Sequence, residues 1–118
     1  MRILFAAMFL CATPALAQPL CTEPQLPAPV DGAHVSPDQL RAAVTAAKGY
    51  IAQSEIYQSC LLDELDAART QAGAQGHALN PLLESDMRLR LASNQRTREK
   101  VGTEINTAID VYKKTHLK

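Results

Sequence analysis

Two long segments of the chain carry apolar residues at alternating steps of four and three, the spacing of helices that pack along one face. The first segment starts at Ser36-Pro37, a capping residue followed by proline, and Gln39 can complete a capping box. Its stop signal is Gly73, since glycine often follows the end of a helix. We therefore predict a first helix over residues 36–72.

A second helix is indicated by the same start pattern at Asn80-Pro81. Its apolar spacing continues to the end of the chain, which predicts a helix over residues 80–114. Each helix would be roughly 50 Å long. Because the link between them is short, they should lie antiparallel as one domain, a hairpin over residues 36–118.

The repeating positions of the two helices match each other when the chain folds at the link. They are Leu40, Val44, Ala47, Ile51, Ser54, Gln58, Leu61, Leu65 and Ala68 in the first helix, and Met87, Leu91, Asn94, Arg98, Val101, Ile105, Ala108 and Tyr112 in the second. Folding pairs Leu61 with Leu91, and it also brings the polar breaks together, Gln58 opposite Asn94 and Ser54 opposite Arg98. We predict an all-α fold, an antiparallel two-helix coiled-coil hairpin. Its polar layer, made of Ser54, Gln58, Asn94 and Arg98, would fix the register at a cost in stability.

Residues 18–35 form a third segment with four prolines, which favour extended backbone. We call this Pro-rich segment the strap. The outer side of the first helix carries mostly small side chains that could receive it: Ala42, Thr45, Ala46, Gly49, Ala52, Ile56, Ser59 and Cys60. We call this row of mostly small residues the lane. We predict that the strap runs back along it, with Leu26 and Val30 as its apolar contacts.

Residues 1–17 have the pattern of a cleaved signal peptide. Arg2 precedes an uncharged apolar run, and Ala15-Leu16-Ala17 is a small-x-small cleavage site. The run is too short to span a membrane. We therefore expect a periplasmic or secreted protein with no stable membrane insertion after cleavage.

Cysteine usage agrees with export. Of three cysteines, Cys21 and Cys60 remain after cleavage. In an oxidising compartment two cysteines predict one disulfide, and the extended strap is long enough to bring Cys21 to Cys60. The two are not a C-x-x-C pair, so a structural role is expected rather than a redox one.

Charge and motifs point away from several function classes. Loss of Arg2 leaves 11 basic and 12 acidic residues, a formal charge of −1, which gives no attraction to nucleic acid. The histidines, His34, His77 and His116, lack the spacing of a helical metal site, and no serine lies in a nucleophile elbow. We predict no catalytic residue, metal site or cofactor.

Two leucines are the strongest indication of a contact surface. Leu82 and Leu89 are seven residues apart on the side of the second helix away from the seam, with Leu62 and Leu79 as expected neighbours. An exposed apolar strip of this kind suggests self-association or a protein partner. The alternative is that the link folds back and covers it.

Short motifs along the mature chain resemble small secreted proteobacterial helical-hairpin proteins, a group with no assigned activity. They are Cys21…Pro24…Pro27, Asp31-Gly32, Tyr50…Tyr57…Cys60-Leu61 and Asn106…Tyr112-Lys113. The resemblance implies an exported hairpin and carries no activity, substrate or cofactor.

The sequence thus favours a non-enzymatic, exported hairpin that binds another protein or itself. A different class of function stays open: two hairpins could dimerise into a four-helix bundle that carries a small ligand or a metal. Its inward polar set would be Ser54, Gln58, Asn94 and Arg98, which is a poor set of metal ligands.

Overall fold

The computed structural model describes residues 21–117 as two antiparallel helices joined by a short link. Helix α1 spans Pro37–Ala74 and helix α2 spans Pro81–His116. The described residues contain no strand, so the predicted all-α hairpin is confirmed. The predicted signal peptide, residues 1–17, and the first three residues of the strap lie outside the described residues.

Helix α1 begins as its sequence predicts. The Ser36 hydroxyl accepts a hydrogen bond from the Gln39 backbone N–H at 3.1 Å, and the Gln39 side chain accepts one from the Ser36 N–H at 2.8 Å. This reciprocal pair satisfies two backbone donors that the helix leaves without partners. The helix ends two residues later than predicted, because Gly73 remains helical and the chain turns at Gly76 with φ of +79°.

Helix α2 is capped by Asn80, whose side chain accepts a hydrogen bond from the Leu82 backbone N–H at 2.9 Å. Basic residues Lys113, Lys114 and His116 occupy its last turn, where the helix dipole favours positive charge. Both ends therefore follow from local sequence.

The core consists of two apolar clusters on either side of the polar layer. One contains Tyr57, Leu61, Leu65 and Met87, and the other contains Ala47, Tyr50 and Val101. The tyrosines are a correction to the predicted spacing: Tyr50 and Tyr57 are buried, whereas Ile51 and Gln58 are half-buried. The buried face of α1 is rotated because a third element, the strap, packs beside α2.

The strap touches the predicted lane of small residues only at one end, beside Ile56 and Cys60, and then leaves it. From Cys21 it crosses α1 beside Gln53 and Tyr57, and residues 27–30 then lie in the groove between the helices, against Ala47 and Val101. Most of the lane stays exposed, and a Cβ added at Gly49 would meet nothing within 4 Å. The predicted contact of Leu26 is also wrong, since its side chain is 57% exposed, while Val30 does line the groove.

The groove is a more favourable position for the strap than the lane, because strap atoms there are buried against two helices at once. A convex helix surface offers contacts on one side only. The stabilisation from apolar burial increases with the area removed from water, which favours the groove. The strap thereby takes the position that a third helix has in a three-helix bundle.

Polar bridges cross between the helices on the opposite side of the hairpin. Arg69 pairs with Glu84 at 2.6 Å, Gln58 donates to Gln95 at 3.1 Å, and Arg98 pairs with Glu55 at 2.6 Å. At about 100° per residue these positions form one stripe on each helix, turned away from the strap. The hairpin therefore has a strap side and a polar-bridge side.

Candidate functional site

The Cys21–Cys60 disulfide joins the start of the strap to the middle of α1. Its two Cα atoms are 5.5 Å apart, within the range that a disulfide spans, and the predicted pairing is present. Both residues are half-buried, and Cys21 packs against the cluster that contains Tyr57 and Met87. The bond therefore belongs to the core as well as to the strap.

Tyr57 lies beneath the strap and was not predicted as a core residue. Its side chain is 5% exposed, and burial raises the pKa of its hydroxyl above the ordinary value of 10.0. The Glu23 carboxylate raises this pKa further, while Arg90 acts in the opposite direction. Its position three residues before Cys60, on the strap side of the helix, is the signal that could have identified it.

The polar layer is built around Asn94, whose side chain is 1% exposed. The Asn94 amide oxygen accepts a hydrogen bond from Gln58 Nε2 at 2.8 Å, so these two face each other as predicted. The Asn94 amide nitrogen donates to the Ser54 hydroxyl at 3.3 Å. Every buried side-chain polar atom of the described residues has a hydrogen-bond partner.

The predicted pairing of Ser54 with Arg98 is wrong. Ser54 is fully buried, and a guanidinium there would lose its hydration without a carboxylate partner. Arg98 instead turns to the polar-bridge side, where it pairs with Glu55 at 2.6 Å. The inward polar set is thus reduced to Ser54, Gln58 and Asn94, three neutral side chains that already bond to one another.

The leucine strip of α2 is exposed. Leu82 is 80% exposed and Leu89 is 64% exposed, and the ion pair between Asp86 and Arg90 adjoins them.

The two leucines expected beside the strip do not join it. Leu79 packs against the core, and Leu62, four residues after Gln58, lies on the polar-bridge side.

One group of metal-ligating side chains comes together among residues 21–117. A carboxylate oxygen of Glu64 and the sulfurs of Cys21 and Cys60 all lie within 4.8 Å of one another. The sulfurs are bonded to each other and so lack the thiolate charge that soft metals need. Glu64 was missed at the sequence level, although its position four residues after Cys60 places it on the same helix face.

The three histidines make local contacts. His34 hydrogen-bonds to Asp31, His77 lies within hydrogen-bond distance of Gln75 and of the Ala78 carbonyl, and His116 stacks on Tyr112 with ring centroids 4.3 Å apart. They are spread over the strap, the link and the end of α2, so the fold does not bring them together.

No family model, curated protein or solved structure matches this chain. Within residues 21–117, neither helix is both long and apolar enough to cross a membrane.

Proposed function

We propose that the protein is an exported, non-enzymatic helical hairpin that binds a protein partner, either a second copy of itself or another protein. The observation that carries this proposal is the exposure of Leu82 and Leu89 on one side of α2. Single exposed leucines are common on protein surfaces, but two at a spacing of seven form a strip that a partner helix can contact.

Other features of the chain support an interaction role. The inward polar side chains are used within the layer, with Asn94 bonded to both Ser54 and Gln58. The signal-peptide pattern and the Cys21–Cys60 pair support a periplasmic or secreted location. A rigid, capped and disulfide-fastened hairpin keeps the strip in a fixed geometry, which lowers the entropic cost of binding.

The first test replaces both leucines by lysine and measures molar mass by light scattering over a range of concentrations. If hairpins pair through this strip, Leu82→Lys with Leu89→Lys converts a dimer to a monomer, because four charges would meet in the interface. A matched control is Ser85→Lys with Ala92→Lys, two exposed positions of α2 with the same spacing of seven. The control should keep the parent mass.

A parent protein that is monomeric at every concentration would exclude self-association through this strip. A foreign partner would then be sought by crosslinking in the native envelope. Loss of the same crosslinked species in the leucine variant, but not in the control, is the expected result. Crosslinks that persist in both variants would contradict the role of the strip.

A further inference from the structure

The Cys21–Cys60 disulfide lies on an acidic part of the surface. A Glu64 carboxylate oxygen is within 4.8 Å of both sulfurs. Asp63 lines the same exposed face of α1 as Cys60, and Glu23 follows Cys21 by two residues on the strap. The half-buried disulfide thus has the Glu64 carboxylate beside it, and Asp63 and Glu23 are close to the two cysteines along the chain.

Most of this negative charge is not compensated nearby. Among the described residues, Glu23, Asp63 and Glu64 have no basic partner within the 4.0 Å of an ion pair. Arg90, which acts on the Tyr57 hydroxyl from α2, is itself paired with Asp86 at 2.9 Å. An approaching thiolate therefore meets the negative field of the Glu64 carboxylate, which has no basic partner among the described residues.

We propose that this field selects the thiols that can open the disulfide. Anionic thiols such as glutathione reduce the disulfide slowly. The thiol that reduces it, and so releases the strap, is one of neutral or positive charge. The proposal concerns the reactivity of the fastening bond and is independent of what the leucine strip binds.

The chemistry is ordinary thiol–disulfide exchange. A thiolate attacks one Sγ of the pair and forms a mixed disulfide, while the Cys21–Cys60 bond breaks and its electron pair leaves with the other sulfur, which then takes a proton. A second thiol resolves the mixed disulfide. The two small thiols are oxidised to one disulfide, and the two cysteines are reduced to thiols.

The Glu64 carboxylate slows the attack because the attacking and leaving sulfurs share negative charge in the transition state. Two unit charges about 5 Å apart in water repel enough to slow a reaction roughly three- to fivefold. A second negative charge on the thiol, as in glutathione, increases the repulsion, whereas the ammonium group of cysteamine partly cancels it. The disulfide's half-buried position lowers screening by salt and strengthens the effect.

The test is Glu64→Gln, which removes the charge and keeps the size of the side chain. Purified protein is treated with glutathione, 2-mercaptoethanol or cysteamine, quenched by alkylation at set times, and the reduced fraction is read by mass spectrometry. The ratio of variant to parent rate cancels the intrinsic reactivity of each thiol. We expect an acceleration of about five- to tenfold for glutathione, and of about two- to threefold for cysteamine.

The matched control is Asp110→Asn, another loss of one exposed acid. Asp110 lies about 24 Å along α2 from Asn94, which is level with Gln58, so the charge is more than two Debye lengths from the disulfide. Asp110→Asn should leave the reduction rates with all three thiols unchanged. In the parent protein, molar salt should shrink the differences in rate among the thiols. Equal acceleration of the three thiols by Glu64→Gln, or none, would overturn the proposal, because the carboxylate would then act by packing or not at all.

Discussion

At the scale of single residues, Gly32 decides how closely the strap can approach α2. A Cβ at this position would overlap the Ala108 carbonyl oxygen and would come within 3.0 Å of the Tyr112 backbone nitrogen. Both contacts are to helix backbone, which cannot move aside without breaking the helix. Gly32 begins a turn in which the His34 N–H bonds the Asp31 carbonyl at 3.1 Å, so the strap enters α1 from a fixed point.

The corresponding prediction is that Gly32→Ala destabilises the protein by about 1–3 kcal/mol, since overpacking forces the backbone apart. The change should be measured by thermal and denaturant unfolding. Gly49→Ala is the control: it lies within α1 with open space around it and should stabilise by about 0.5–1 kcal/mol. An unchanged stability for Gly32→Ala would mean that the close approach is not required.

At the scale of elements, the polar layer decides how the two helices align. Asn94 accepts from Gln58 and donates to Ser54, and a shift of one turn in either helix would bury these groups without partners. An unpartnered buried polar group costs more than a hydrogen bond contributes. The layer therefore disfavours other registers more strongly than it stabilises this one.

Partial and complete removal of the polar layer should have opposite effects on the stability of the protein. Asn94→Leu alone should destabilise by about 1–3 kcal/mol, because Ser54 loses its partner and Gln58 loses one of its two. Combining it with Ser54→Ala and Gln58→Leu should restore stability or raise it above the parent, since apolar packing replaces the polar groups. Chemical denaturation gives the stabilities, and light scattering should show new oligomers only in the triple variant. A triple variant less stable than the single one would contradict the register role.

At the scale of the whole molecule, the strap and the hairpin form one core held by a covalent bond. The bond closes a loop of 39 residues, for which the loop-entropy model gives a stabilisation of about 4 kcal/mol. The strap covers Tyr57 and fills the groove beside Val101, so its release would expose part of both apolar clusters. The hairpin keeps its own caps and seam without it.

Replacing both cysteines by serine should therefore separate the strap from the hairpin. The double variant avoids a free thiol that could crosslink two chains. We expect most of the helical circular dichroism to remain, a lower melting temperature, and new proteolytic cleavage confined to residues 21–35. Protection of the strap equal to that of the parent would show that its noncovalent contacts are sufficient by themselves.

The sequence by itself determined the elements of this protein. The capping residues Ser36 and Asn80, the prolines after them and the apolar spacing act within a few residues of chain, and they placed both helices to within two residues. The opposition of Gln58 and Asn94 was also predictable, because two polar side chains at matching heptad positions can hydrogen-bond to each other across the seam. The disulfide followed from the count of cysteines and the reach of the strap.

Only the tertiary structure decided the path of the strap and the side chains that it covers. Spacing along one helix shows where small residues lie, but not that a groove between two helices offers more area to bury than an open face. That difference put Tyr50 and Tyr57 in the core, left most of the lane exposed with open space beside Gly49, and placed Gly32 against Ala108. The position of Arg98 was decided likewise, because a buried guanidinium needs a carboxylate, and Glu55 is available only on the outer side. Local sequence signals specify where the helices begin and end. Which side chains are buried and which charges pair depends on how the helices and the strap pack against one another.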